Sequence, residues 1–122
     1  MTDRKVVINL ATGLEDAERV MIAFLVGGAA AEQGKPVAMF LTKEAVRLAV
    51  PGFADAVACE GCPPLARLFE QFAENGGELL VCPICANSRN LDEGNLVANA
   101  RFAGATPLWE WTGEEPATVF SY

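Results

Sequence analysis

Four cysteines, spaced as Cys59-x-x-Cys62 and Cys82-x-x-Cys85, are the residues of this chain whose types and spacing could do chemistry. The sequence holds no other cysteine and no histidine. Two thiol pairs in a short chain admit few readings: a four-thiolate zinc site, disulfides, or thiol and sulfur chemistry. Without imidazole, mixed Cys/His metal sites and Ser-His-Asp or Cys-His catalysis fall away.

On the residues alone, three readings stay open. Zinc held by Cys59, Cys62, Cys82 and Cys85 fits the spacing, since two Cys-x-x-Cys pairs separated by about 15–20 residues form a recognised four-thiolate pattern. The spacer, however, is filled mostly by an amphipathic helical pattern over 63–74, whereas zinc ribbons place each pair on a β knuckle. A redox or sulfur-carrying site fits Cys62-Pro63 and Cys82-Pro83, read as helix N-caps with proline at the first helical position. A thiol there meets unpaired backbone N–H groups and the positive end of the helix dipole, which favour the thiolate. The third reading is that thiols pack as small apolar side chains. Under the sulfur reading, which needs no cofactor, Cys82 is the nucleophile, Cys85 its resolving partner, and Cys59 with Cys62 an auxiliary pair. Arg89 either adds positive charge to this rim or is an ordinary solvated arginine.

The elements that must position these thiols are strands alternating with helices. Lys5 to Leu10, Val37 to Leu41 and Glu78 to Val81 read as strands apolar on both faces, the pattern of a buried parallel sheet. Thr12 and Glu15 suggest a capping box ahead of a helix that runs to Gly34. That helix is apolar nearly all round, with Ile22, Val26 and Ala30 opposite its core stripe, so a second face is expected to meet another subunit. Short helices are expected over 43–50 and 63–74, irregular chain over 53–58, and a longer helix over about 87–103. Strands are expected near Pro107 to Trp109, with Trp109 and Trp111 on one side, and at Ala117 to Phe120. The whole implies one domain spanning 1–122, an α/β three-layer sandwich on a mostly parallel, flavodoxin-like sheet. Cys82 follows the third strand, so both pairs are expected on the carboxyl rim of the sheet, where sites gather in open α/β folds. Asn9 and Thr12 end the first strand on that rim. The first strand-to-helix turn lacks the glycines of a dinucleotide fingerprint or a P-loop.

Composition narrows the partners. A net charge of -7 argues against nucleic acid and anionic membranes, and 52% hydrophobic residues in 122 suggest surface buried in an oligomer. The opening Met1 to Lys5 shows no signal-peptide pattern and no segment is long enough to span a bilayer, which predicts a cytoplasmic, reducing setting.

The opening Val6 to Gly13, the helix from Asp16 to Gly34 and above all the tract Gly76-Gly77-Glu78-Leu79-Leu80-Val81-Cys82-Pro83-Ile84-Cys85-Ala86-Asn87-Ser88-Arg89 resemble the DsrE/DsrF-like (YchN-like) family. The resemblance implies homo-oligomers, often trimers or hexamers, and intracellular sulfur transfer between donor and acceptor proteins, with a strand-end cysteine carrying sulfur as a persulfide. Cys82 matches that cysteine by position. The sequence departs from the pattern at Cys59 and Cys62, which are additional, and at Asn90, where a glycine often follows the arginine.

Overall fold

A computed structural model describes residues 4–122; the start of the opening segment, residues 1–3, lies outside the described residues. Five strands, β1 (Lys5–Leu10), β2 (Val37–Leu41), β3 (Glu78–Val81), β4 (Ala100–Phe102) and β5 (Ala117–Ser121), form one sheet in the order β4-β3-β2-β1-β5. Every pairing is parallel. Four α-helices connect them: α1 (Ala17–Glu32), α2 (Leu65–Glu74), α3 (Pro83–Ser88) and α4 (Ala105–Thr112).

Alternation along the strands divides the core into two layers. Val6, Ile8, Leu10, Met39, Leu41, Leu79 and Val81 pack with Val20, Phe24, Leu65 and Phe72 of α1 and α2. Ala38 and Leu80 point to the other face and meet Ala103, Phe40, Leu108 and Trp111, so α4 covers that side. This is the α/β sandwich expected, with strands buried on both faces at the centre.

Small residues set the helix–sheet spacing. A Cβ added at Gly27 would sit 3.3 Å from Met39 Cε and 3.5 Å from both Ile8 and Phe72, so α1 lies close on the sheet. On α1, Val26 and Ala30 pack against the core, while Ile22 and Leu25 are the exposed large apolar residues. The outward apolar face therefore differs from the one expected, and Val26 does not belong to it.

The α4 layer is pinned by polar contacts. Trp111 Nε1 donates to Glu78 Oε2 at 2.8 Å, Arg101 pairs with the same carboxylate, and Lys5 Nζ donates to the Trp111 carbonyl at 2.7 Å. Burial pushes the Glu78 carboxyl up, but the hydrogen bonds from Arg101 and Trp111 outweigh it and hold the group below its ordinary range.

Four local expectations are corrected. The capping box is not formed. Asp16 caps α1 by accepting from Arg19 N at 3.1 Å, and Glu15 accepts from Gly13 N at 2.7 Å. The helix expected over 87–103 stops at Arg89, because Asn90 adopts a left-handed φ of 58°. Asn90 N then bonds to Asn87 O and Leu91 N to Ala86 O, a Schellman ending. Asp92 next accepts from Gly94 N at 2.9 Å, and the chain reaches β4. The strand expected near Pro107 is instead α4, where proline in the first turn forfeits no intrahelical bond. Trp109 and Trp111 consequently point apart, the first 75% exposed and the second held on Glu78. Finally, α2 starts at Leu65 with Pro64 as its N-cap, so Cys62 is not a cap. Pro64 disfavours helical backbone at Pro63, and the helix cannot begin earlier.

Candidate functional site

Cys82 is fixed by backbone on both sides. Its N–H donates to Leu41 O at 3.0 Å, extending the β2–β3 ladder, and the carbonyl of the preceding Val81 accepts from Ala103 N at 2.9 Å. Cys82 is the N-cap of α3, Pro83 is its first residue, and the Cys82 carbonyl accepts from Ala86 N at 2.9 Å. The reading of Cys82-Pro83 as a helix start thus holds. Cys85 lies in the same first turn. Both are free thiols of intermediate exposure.

The sheet topology singles out this position. The chain leaving β3 enters α3, whose Ala86 and Cys85 join the α1/α2 layer, whereas the chain leaving β4 enters α4 on the opposite layer. Adjacent strands whose exits diverge to opposite faces open a crevice at their carboxyl ends. Cys82 stands at that divergence. Gly104, on the other branch, would place a Cβ 3.5 Å from Pro83 Cδ, so the two exits remain in contact at their base.

Arg89 serves as a strut beneath the thiols. Its Nε donates to Glu44 Oε1 at 3.1 Å and its Nη1 to the Cys85 carbonyl at 3.2 Å. Glu44 also accepts from Arg47 Nε at 2.7 Å. Hydrogen bonds from Arg47 and then Arg89 hold the Glu44 carboxyl below its ordinary range. The positive charge that Arg89 was expected to lend the rim is therefore met by Glu44. The Glu44 backbone in turn abuts the turn after β1, where a Cβ on Gly13 would come within 2.9 Å of its carbonyl oxygen. Glu44 was missed in the sequence. Its i,i+3 relation to Arg47 is visible there, but Arg89 is 45 positions away.

Asn9 points away from the thiols, its Nδ2 donating to Ser121 Oγ at 3.3 Å, and Thr12 is buried. The four cysteines are not brought into one cluster. Cys59 and Cys62 are joined in a disulfide with Cα atoms 5.4 Å apart, on the loop before α2. Among the described residues no three Cys, Asp or Glu side chains are placed to hold a metal ion together, so the four-thiolate arrangement is not assembled. The loop between the 3-10 turn at Phe53–Ala56 and α2 keeps the first pair on its own groove, lined by Asp55, Val57, Leu65 and Ala66. Closing a ring this small lowers the unfolded chain's entropy by only about 2 kcal/mol, against about 3 kcal/mol for a 15-residue loop.

A parallel α/β sheet with a free thiol at a strand's carboxyl end, at the divergence of two crossovers, defines the class. The chain belongs to the DsrE/DsrF-like family, whose model matches residues 4–120. That family is associated in general with sulfur relay. The fold is similar to that of the ychN protein from E. coli, with a TM-score of 0.78 at 19% identity, covering 98% of this chain and 99% of that one. It is also similar to MTH1491 from Methanobacterium thermoautotrophicum, with a TM-score of 0.70 at 11% identity over 98% and 100% of the two chains. In sequence, the chain is 29% identical to MJ0760 of Methanocaldococcus jannaschii over 103 residues, 84% of this chain. It spans 37% of that relative's length. No helix among the described residues is long and apolar enough to cross a membrane.

Proposed function

We propose that this chain is a cytoplasmic sulfur-relay protein that carries sulfane sulfur on Cys82. The observation that carries the reading is the placement of a half-exposed thiol on rigid backbone at the sheet's divergence point, within a family associated with sulfur relay. The Cys82 thiolate attacks the outer sulfur of a donor persulfide; the donor thiolate leaves, takes up a proton, and Cys82 becomes the persulfide. An acceptor thiolate then attacks that outer sulfur and regenerates Cys82. In the absence of an acceptor, Cys85 attacks the inner sulfur, releases hydrosulfide and closes a Cys82–Cys85 disulfide. Donor and acceptor are proteins bearing thiols, and the reaction needs no cofactor.

A second copy of the chain completes the assembly through the α4 face. A single eight-residue helix covers that side of the sheet, leaving Val119 56% and Trp109 75% exposed beside a groove of about 520 Å³. Unpartnered apolar surface of this kind supports a homo-oligomer, trimeric or hexameric as the family resemblance implies.

The test is chemical. After brief iodoacetamide treatment of the native protein near neutral pH, peptide mapping should find Cys82 modified before Cys85. Incubation with a persulfide donor should add the mass of one sulfur atom to the Cys82 peptide. Slower alkylation of Cys82 than of Cys85, or sulfur found on another cysteine, overturns the assignment.

A further inference from the structure

We propose that Cys59 and Cys62 form a second reaction site, a dithiol–disulfide couple that exchanges with small dithiols and thiols and acts independently of Cys82. The two pairs differ in chemical state: Cys59 and Cys62 are bonded to each other, while Cys82 and Cys85 are free. They also belong to different elements, the first to an exposed loop and the second to the end of a central strand. Cys59 and Cys62 close a ring of four residues, turned by Gly61 at a φ of 77° and by a hydrogen bond from Cys62 N to Cys59 O at 3.1 Å. A ring of that size constrains the unfolded chain weakly, so it is a poor structural staple. Both cysteines are only half-buried and line a groove, and accessible disulfides are the ones open to exchange. Beside them lies a groove of about 330 Å³, lined by Asp55, Val57, Pro63, Pro64 and Leu65. Its floor is apolar and its volume suits a small thiol.

The exchange balances without any further reactant. A thiolate of the incoming dithiol attacks one sulfur of the Cys59–Cys62 bond, forming a mixed disulfide and freeing the other cysteine as a thiolate. The second thiolate of the dithiol then attacks the mixed disulfide and leaves as the oxidised ring. Two electrons and two protons pass to Cys59 and Cys62, and the reagent is oxidised by the same amount.

Charge selects the reagent. Asp55 lines the groove, Glu60 stands inside the ring, and the chain as a whole carries -7. An attacking thiolate with further carboxylates, such as glutathione, is repelled more than one whose only charge is its sulfur. Salt relieves that difference by screening it.

The experiment uses the full chain and a Cys82→Ser/Cys85→Ser variant, which isolates the pair. Each is treated under native conditions with dithiothreitol or glutathione at equal thiolate concentration, quenched in acid, alkylated and weighed. Two thiols per chain should appear with dithiothreitol, with the circular dichroism unchanged, and should disappear again on reoxidation. The initial attack by glutathione should be roughly tenfold slower at low salt, the lower end of electrostatic effects on encounter rates, and gain on dithiothreitol as salt rises. Cys59→Ser should show neither thiol gain nor loss, while alkylation of its Cys82 proceeds as in the unaltered chain. Purified protein already carrying four free thiols in air would overturn the proposal. So would a disulfide that resists both reagents until the chain is unfolded, or thiols masked by stoichiometric zinc. The first two results leave Cys82 untouched, since its role is read from its own alkylation and sulfur loading; zinc held by all four thiols would overturn both readings.

Discussion

Replacing Gly77 by alanine should destabilise the fold through one collision. Gly77 opens the approach to β3, and its N–H donates to Phe72 O at 2.8 Å, closing the Schellman ending of α2 in which Gly76 takes a φ of 88°. A Cβ at Gly77 would stand 2.4 to 2.6 Å from three atoms of the Phe72 ring. Ordinary contact begins near 3.4 Å, so the ring would have to retreat by about 1 Å. It has little room, being fully buried with Phe24 edge-on at a centroid distance of 5.6 Å. Overpacking of this kind costs about 1–3 kcal/mol. The smaller unfolded-state entropy of alanine offsets about 0.4–1 kcal/mol. The net loss is about 1–2 kcal/mol, which for a chain of this length lowers Tm by about 4–8 °C. Urea unfolding should show a lower midpoint with an unchanged slope. Gly28→Ala supplies the contrast: it lies within α1 with nothing within 4 Å of its added Cβ, and should stabilise by about 0.5–1 kcal/mol. Shrinking the ring with Phe72→Leu should cost less in the Gly77→Ala background than alone. If Gly77→Ala unfolds at the same urea concentration as the unaltered chain, the packing of Phe72 described above is wrong.

The Glu78 carboxyl, held below its ordinary value of 4.5, contributes stability that is full above that value and lost as pH falls through the lower folded value. Glu78→Gln should therefore unfold at a lower temperature than the unaltered chain at neutral pH, losing about 1 kcal/mol or less for a partly exposed ion pair, with the gap closing below pH 4.5. Asn90→Gly should leave stability within about 1 kcal/mol, because glycine accepts the same left-handed backbone, whereas Asn90→Val should cost about 1–2 kcal/mol in chemical denaturation. Val119→Asp should dissociate the proposed oligomer or precipitate the protein in light-scattering measurements; an unaltered chain that is monomeric at micromolar concentration would remove the second copy from the α4 face.

The central strands were legible because a parallel sheet covered on both sides demands apolar runs, and β1, β2 and β3 are such runs. Cys82-Pro83 was legible for a local reason, since proline at the first helical position fits the backbone without loss. The failures are of two kinds. Some follow from a backbone detail of one residue: Asn90 ends α3 in a left-handed turn, and Pro64 bars Pro63 from helical backbone. In the first case a helical pattern runs on past a stop made by asparagine rather than glycine, and in the second it begins two residues before the backbone can turn helical. Others follow from contacts that no local pattern encodes. β4 has only three residues, and it forms because β3 offers an edge. The alternation of Trp109 and Trp111 imitates a strand, although one ring reaches Glu78 and the other faces outward. The Glu44–Arg89 strut joins positions that meet only when the sheet brings the exits of β2 and β3 side by side. Asn90, standing where the family resemblance leads one to expect glycine, takes a left-handed backbone that glycine also accepts.

Pinning Cys82 between the ends of β2 and β4 also sets how the molecule opens. The amide of Cys82 is bonded into a central ladder, so its hydrogen exchange requires separation of the sheet, an event close to global unfolding. The segment from 58 to 64, which places no side chain in the core, has no such tie to the ladder and can open locally at far smaller cost. The strand-end thiol and the loop disulfide thus sit in different cooperative units of one small protein. Breathing, cleavage or chemical change in the loop leaves the address of the other sulfur undisturbed.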